Sequence, residues 1–169
     1  MLNKVKSSFP KITKKYWAKT FNFAPIYFKN NYSTANNLTL TVSSPTFTVC
    51  DQKAVREVTV PGTDGIFTIL ANHVPSIAEL TPGTVIITDN EGKSENFFIS
   101  GGFCIVNRDS TCSITTVECV PVDRLDPSLV KKGLDDFERA VSTATSDTQK
   151  AEAEIGVLTF KAMSFAVQV

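Results

Sequence analysis

The feature that most constrains this chain is a change of hydrophobic period at about Pro121. Before it, Leu38, Leu40 and Val42, then Phe47 and Val49, then Val58 and Val60 alternate with more polar residues. Period two in β-branched and aromatic residues describes strands with one buried face. Further strand-like runs follow at Ile66–Leu70, Thr84–Thr88, Glu95–Ser100, Phe103–Val106 and Thr111–Val117, punctuated by the turn sequences PGTDG, TPG, DNEG, SGG and NRDS. Short strands at this spacing predict an antiparallel β-sandwich over residues 35–121.

After Pro121 the period becomes helical. Asp126 is a good N-cap with Pro127 at the first helical position, and Val130, Leu134, Phe137, Val141 and Ala144 recur at spacings of three and four. The spacing predicts a helix over Pro127–Thr143. Thr145, Ser146 and Asp147 interrupt it, with Asp147 placed to cap a second helix in which Ala151, Ile155, Leu158, Ala162 and Phe165 repeat the rhythm. Residues 122–169 therefore read as a two-helix antiparallel hairpin whose two sets meet along a coiled-coil-like seam. Leu129, Val157 and Met163 fall off that seam and call for contact with the sandwich or with another chain.

Ahead of the sandwich, charge divides the chain. Residues 1–34 hold seven lysines (Lys4, Lys6, Lys11, Lys14, Lys15, Lys19, Lys29) and no acidic residue. Phe9, Ile12 and Tyr16 give this head an amphipathic stretch without the continuous apolar core of a secretory signal. Such a segment fits a mitochondrial targeting presequence; a basic tail or surface anchor is the plainer alternative. From Ala35 onward 10 basic residues face 17 acidic ones, a net charge of −7 that argues against a nucleic-acid partner. No apolar run approaches the ~20 residues of a membrane-spanning helix.

The residue types that carry chemistry are sparse. Cys50, Cys104, Cys112 and Cys119 form no CxxC pair, and His73 is the only imidazole, so no metal-ligand set is expected. If the head directs import into the matrix, the thiols are expected to be reduced and mostly buried. His73 has no nucleophile motif such as G-x-S-x-G in the chain to serve, which favours a structural or interfacial role. Gly62 and Gly65 flank a tight connection and Gly101-Gly102 marks a bulge, while no glycine pattern suits a phosphate. No catalytic residue and no cofactor are expected.

The order of these motifs resembles the delta/epsilon family of F-type ATP synthase subunits, called delta in mitochondria and epsilon in bacteria and chloroplasts. VPGTDGIFTILANHVPSIAELTPGTVII (Val60–Ile87), FFISGGFCIV (Phe97–Val106) and the hairpin from Asp126 carry the resemblance, which spans about Leu38–Val169. Two departures stand out: Thr68 where the family usually has Gly, and Ala71-Asn72 where it has Pro-Gly. Asn72 can hold a left-handed turn; Thr68 leaves the local loop path open. An ATP-binding I/L-D-x-x-R-A pattern of some bacterial members has no match, since LDPSLV lacks Arg-Ala and LDDFERA carries one residue too many, which rotates a side chain by ~100°.

The resemblance implies a non-catalytic central-stalk subunit of the proton-transporting ATP synthase, on the matrix side of the mitochondrial inner membrane and attached to it through the ring of c subunits. It implies that Gly62, Thr63, Asp64, Gly65, Ile66, Phe67 and Thr68 face the c-ring and that Ser43, His73 and Ala78 face the gamma subunit. It also implies a small epsilon subunit as partner, between sandwich and hairpin. The residues alone leave two other classes open. One is an autonomous β-sandwich that holds a small ligand; the other is an enzyme, disfavoured for want of a convergent set of titratable groups.

Overall fold

The computed structural model describes residues 37–168, and the targeting segment expected at 1–34 lies outside them. Among these residues ten strands join one hydrogen-bonded sheet, nine of them in a single path: β1 (Leu38–Ser43), β2 (Thr48–Val55), β3 (Glu57–Gly62), β4 (Gly65–Leu70), β5 (Ser76–Leu80), β6 (Gly83–Thr88), β7 (Ser94–Ile99), β8 (Gly102–Val106), β9 (Thr111–Thr116) and β10 (Cys119–Pro121). A short 3-10 turn at Val122–Arg124 leads into α1 (Pro127–Thr143) and α2 (Asp147–Val167).

The path runs β10-β7-β6-β3-β5-β8-β9-β1-β2, with β4 against β3. Its weak link is β3 to β5, where only Gly62 and Leu80 pair. Folding at that link stacks β10-β7-β6-β3-β4 on β5-β8-β9-β1-β2, and one core cluster draws on both halves: Val58 and Val60 from β3, Val85 and Ile87 from β6, Leu38 and Leu40 from β1, Ile114 from β9. Each fully buried aliphatic side chain contributes roughly 1.5–3 kcal/mol, so this shared cluster is what closes the sandwich. The ladders are antiparallel except one. β1 runs parallel to β9, because the chain leaves β1 through the β2 hairpin and returns to its other side only after β8.

Two strands differ from the sequence expectation. β5 inverts the usual pattern, with Ile77 and Glu79 outward and Leu80 buried, so its polar inner Ser76 and small Ala78 hide the period. β10 is three residues long and holds to β7 through Cys119, Val120 and Pro121.

The hairpin differs more. Asp126 caps α1 as expected, accepting from the backbone N–H of Ser128 at 2.8 Å and of Leu129 at 3.3 Å. The cap of α2 is Ser146 rather than Asp147: its hydroxyl accepts from Gln149 N–H at 3.3 Å, leaving Asp147 in the first turn, where its charge suits the helix dipole. The seam is also rotated on α2. Ile155, Leu158 and Phe165, expected to face α1, are 66%, 58% and 70% exposed. Facing α1 instead are Ala153, Gly156 and Phe160: a Cβ on Gly156 would strike the ring of Phe137, and one on Gly133 the ring of Phe160. Each helix lays a phenylalanine over the other's glycine, and the rings meet at 5.3 Å between centroids. That interlock takes precedence over the apolar count, because a glycine admits the closest approach of two helices and a stripe of larger residues does not.

The hairpin rests on the outer face of the β6 half, where α2 packs on β6. Phe98 lies on the face of β7 opposite the core residues Phe97 and Ile99, yet is 2% exposed, and Val130 and Ala166 are buried at 6% and 4%. This second, smaller apolar layer ties the helices to the sheet.

Candidate partner-binding surfaces

The Gly62–Thr68 segment is the β3–β4 hairpin. Gly65 has φ +127°, a region L-residues avoid, and a Cβ there would meet nothing within 4 Å. The turn is braced from behind: Thr63 N–H donates to Glu79 O at 3.2 Å and Thr81 N–H to Pro61 O at 2.9 Å. Within it the side chains diverge. Ile66 is 77% exposed, whereas Phe67 packs against the core and over Gly62. Thr68, the departure that left the loop path open, sits regularly on β4 opposite Thr59, and the two hydroxyls lie 2.7 Å apart. Threonine suits a strand, and no positive φ is recorded there.

Register shows what sequence reasoning missed at the same end of the sandwich. Ser43 pairs with Thr115, Gly102 with both Thr116 and Leu80, and Gly62 with Leu80, so the turns after β1, β3, β5, β7 and β9 gather beside one another. Two of them carry apolar tips: Phe47, 51% exposed, and Val117, 70% exposed. Phe47 is held out by its own turn, where Ser44 N–H donates to Phe47 O at 2.9 Å and Phe47 N–H returns to the Ser44 hydroxyl at 3.3 Å. Phe47 and Val117 also line a cavity of about 640 Å³ on the flank between edge strands β2 and β10. Nearby, Lys53 and Glu95 form an ion pair of 3.2 Å between β2 and β7, clipping the two halves together.

Ser43, His73 and Ala78 do not form one patch. His73 sits in the turn after β4, at the opposite end from Ser43; its N–H donates to Leu70 O at 3.2 Å and its Nδ1 lies 2.9 Å from Val74 O. The preceding Asn72 has φ +62°, the left-handed turn its residue type allows, and its N–H donates to the hydroxyl of buried Ser110 at 2.9 Å. Ala78 shares a cross-strand row with Cys104, Ile114 and Val42, all buried, and lines a cleft of about 280 Å³ together with Gly62–Gly65. It neighbours the β3–β4 hairpin, not His73. The exposed apolar residues of β5 and β8 are one step out of that row: Ile77 at 76%, Phe103 at 55% and Ile105 at 39%. Ile77 and Ile105 are directly paired. Their signal in the sequence is the inverted alternation of β5.

Among the described residues, no group of three or more His, Cys, Asp or Glu is arranged to hold a metal, and no helix is long and apolar enough to cross a membrane. The cysteines are free, with Cys104, Cys112 and Cys119 buried. Cys104 and Cys112 lie 3.6 Å apart, sulfur to sulfur. That contact lowers the pKa of Cys104 and raises that of Cys112, while burial pushes Cys119 up to about 11. Cys112 and Cys119, held neutral in this way, are packing groups rather than nucleophiles.

These observations define a class first: a β-sandwich that carries a helical hairpin and leaves turns and apolar strand faces exposed. Comparison gives the family. Residues 37–121 match the ATP synthase delta/epsilon chain β-sandwich domain. The chain is 44% identical over 137 residues to the mitochondrial ATP synthase F(1) complex subunit delta of Dictyostelium discoideum, covering 81% of each. It is 36% identical to the mitochondrial ATP synthase subunit delta of Caenorhabditis elegans, covering 82% of this chain and 89% of that one. With the delta' subunit of Ipomoea batatas it shares 42% identity over 68% of its own length, spanning 57% of that plant relative. A chain in the Euglena gracilis mitochondrial ATP synthase structure containing OSCP, F1 and c-ring superposes with a TM-score of 0.74 at 26% identity, covering 79% of this chain and 82% of that one. A chain in the Tetrahymena thermophila central stalk and c-ring structure shares the fold, with a TM-score of 0.59 over 80% of this chain and 98% of that one. The chain belongs to the ATP synthase delta/epsilon family.

Proposed function

We propose that the chain is a rotor subunit in the central stalk of the mitochondrial ATP synthase, without active-site chemistry of its own, and that it couples rotation of the c-ring to the gamma subunit. It works on the matrix side of the inner membrane, after removal of residues 1–34. The observation that carries this reading is the gathering of five braced turns at one end of a sandwich with a single shared core. A part that passes torque must not yield between its two contacts, and close-packed interiors transmit strain.

The c-ring meets the turn end through Gly62–Thr68, chiefly Gly65 and the exposed Ile66, with Phe47 and Val117 beside them. Gamma meets the outer face of β5 and β8, where Ile77, Phe103 and Ile105 supply apolar area and Ser43 and His73 lie at its two ends. Ala78 supports that face from within. The small epsilon subunit, which the resemblance places between sandwich and hairpin, meets the hairpin at the free stripe of α2, Ile155 and Leu158.

Purification of the tagged chain from mitochondria tests the proposal: gamma and c subunits should elute with it in fixed ratio. Elution of the chain alone under conditions that keep the synthase intact would defeat it. That second outcome would favour an autonomous ligand module, although the interior of the sandwich is filled by its own side chains.

A further inference from the structure

Between α2 and the outer face of the β6 half lies a cavity of about 440 Å³. Its volume falls within the ~300–1,000 Å³ typical of small-ligand sites. Pro61 and Ile66 wall it from the β3–β4 hairpin, Pro82 and Ile86 from around β6, and Ala162 and Phe165 from α2. Thr84 and Asn96 add polar groups, and no residue lining the cavity carries a charge.

Each of these facts narrows what can bind. A charged ligand would lose its hydration and find no counter-ion, so the occupant is neutral. Most of the wall is aliphatic or aromatic, so its body is apolar, with one hydrogen-bonding group satisfied by Thr84 or Asn96. Two walls are already fixed to each other: Thr81 N–H and hydroxyl both donate to Pro61 O, at 2.9 and 3.4 Å, and Gly83 lies so close to Pro61 that a Cβ would stand 2.9 Å from its ring. Little ordering is therefore needed on binding. At the rim Ile66 and Phe165 stand 77% and 70% exposed on opposite sides, apolar surface that an occupant would remove from water.

We propose that this cavity binds a neutral, largely apolar small molecule with a ring or chain body and a single hydrogen-bonding group. Such a ligand touches α2 and the β3–β4 hairpin at once and fixes the helices against the sandwich. The cavity shares Gly65 and Ile66 with the segment assigned above to the c-ring, so the test uses the free chain, which alone supplies every wall.

The full chain titrated with N-phenyl-1-naphthylamine, a neutral fluorophore that brightens in apolar surroundings, provides the test. A saturable rise with one site per chain is expected. Ala162→Phe, which fills the cavity, should weaken the affinity at least tenfold with the melting temperature retained. Ile66→Ser, at a side chain the fold does not bury, should weaken it several-fold and decides the matter if Ala162→Phe fails to fold. Ile155→Ser, two turns away on α2, should leave it unchanged. No saturable rise, unaltered affinity in Ile66→Ser, or loss of binding in Ile155→Ser would overturn the proposal, the last by showing that the probe spreads along the exposed stripe of α2.

Discussion

The sandwich and the hairpin bury apolar residues by different rules. In the sandwich, alternation decides: Leu38, Leu40 and Val42 are buried, and the residues between them are not. In α2 the largest apolar residues of the expected stripe stay in water, while Ala153 and a glycine face α1. A strand has two faces, and side-chain type assigns them. A helix has a continuous surface, and the closest approach between two helices goes to the smallest residue that admits a large one opposite. Both regions thus hinge on glycines, though on different properties of glycine: positive φ in the sheet and absent volume in the hairpin.

This contrast can be broken by substitution. The largest effect is expected at Gly102, where φ is +154° and an added Cβ would strike the backbone carbonyl of Thr115. Gly102→Ala should cost more than about 3 kcal/mol and abolish soluble folded protein, as read by chemical denaturation. Retention of a cooperative transition near that of the parent would show that the β8–β9 ladder yields. Next comes Gly156→Val, which places a branched side chain against Phe137. A local loss of about 2–3 kcal/mol is expected in the helices, visible as faster amide exchange in α1 and α2 with β1, β8 and β9 unaffected. Equal loss of protection in both regions would mean that they do not fold as separable layers.

Alkaline pH sharpens the comparison from the core side. Burial raises the Cys119 pKa to about 11, above the ordinary thiol value of 9.0. Above pH 9 the unfolded chain releases this proton and the folded chain keeps it, so the folded state binds more protons and stability falls as pH rises. The decline should reach roughly 2 kcal/mol between pH 9 and 11 and be shallower in Cys119→Ala, measured by urea melts across that range. Identical slopes in the two proteins would remove Cys119 from the account. The smallest effect is expected for Ile155→Ser on the free stripe of α2: within about 0.5 kcal/mol of the parent in thermal melts of the isolated chain. A loss of several kcal/mol would restore Ile155 to the α1 seam.

Much of the architecture is legible in the residues because strands announce themselves by period, and Asp126-Pro127 marks the start of α1 without help from tertiary structure. Asn72 holds its left-handed turn by residue type alone, whereas Thr68, which left the loop path open, is placed only by its pairing with Thr59. What escapes has a common cause. β5 carries its apolar Ile77 outward, and Gly133 and Gly156 contribute nothing to a hydrophobic count, so in each case the deciding contact lies on another element. The apolar tips Phe47 and Val117 read in sequence as strand residues with a buried face, yet both lie in turns, and only register shows that these turns stand beside Gly62–Gly65.

The proposed coupling role rests most heavily on Gly65. It holds φ +127° with nothing within 4 Å of an added Cβ, so the expected cost of Gly65→Val is strain in the turn, about 1–3 kcal/mol. The single preparation to examine is the purified synthase carrying this variant, assayed for gamma retention, c-ring retention and sensitivity of ATP hydrolysis to inhibitors of the membrane sector. The account predicts a folded chain that keeps gamma, releases the ring and leaves hydrolysis insensitive. A folded variant with the ring retained and full sensitivity would contradict it.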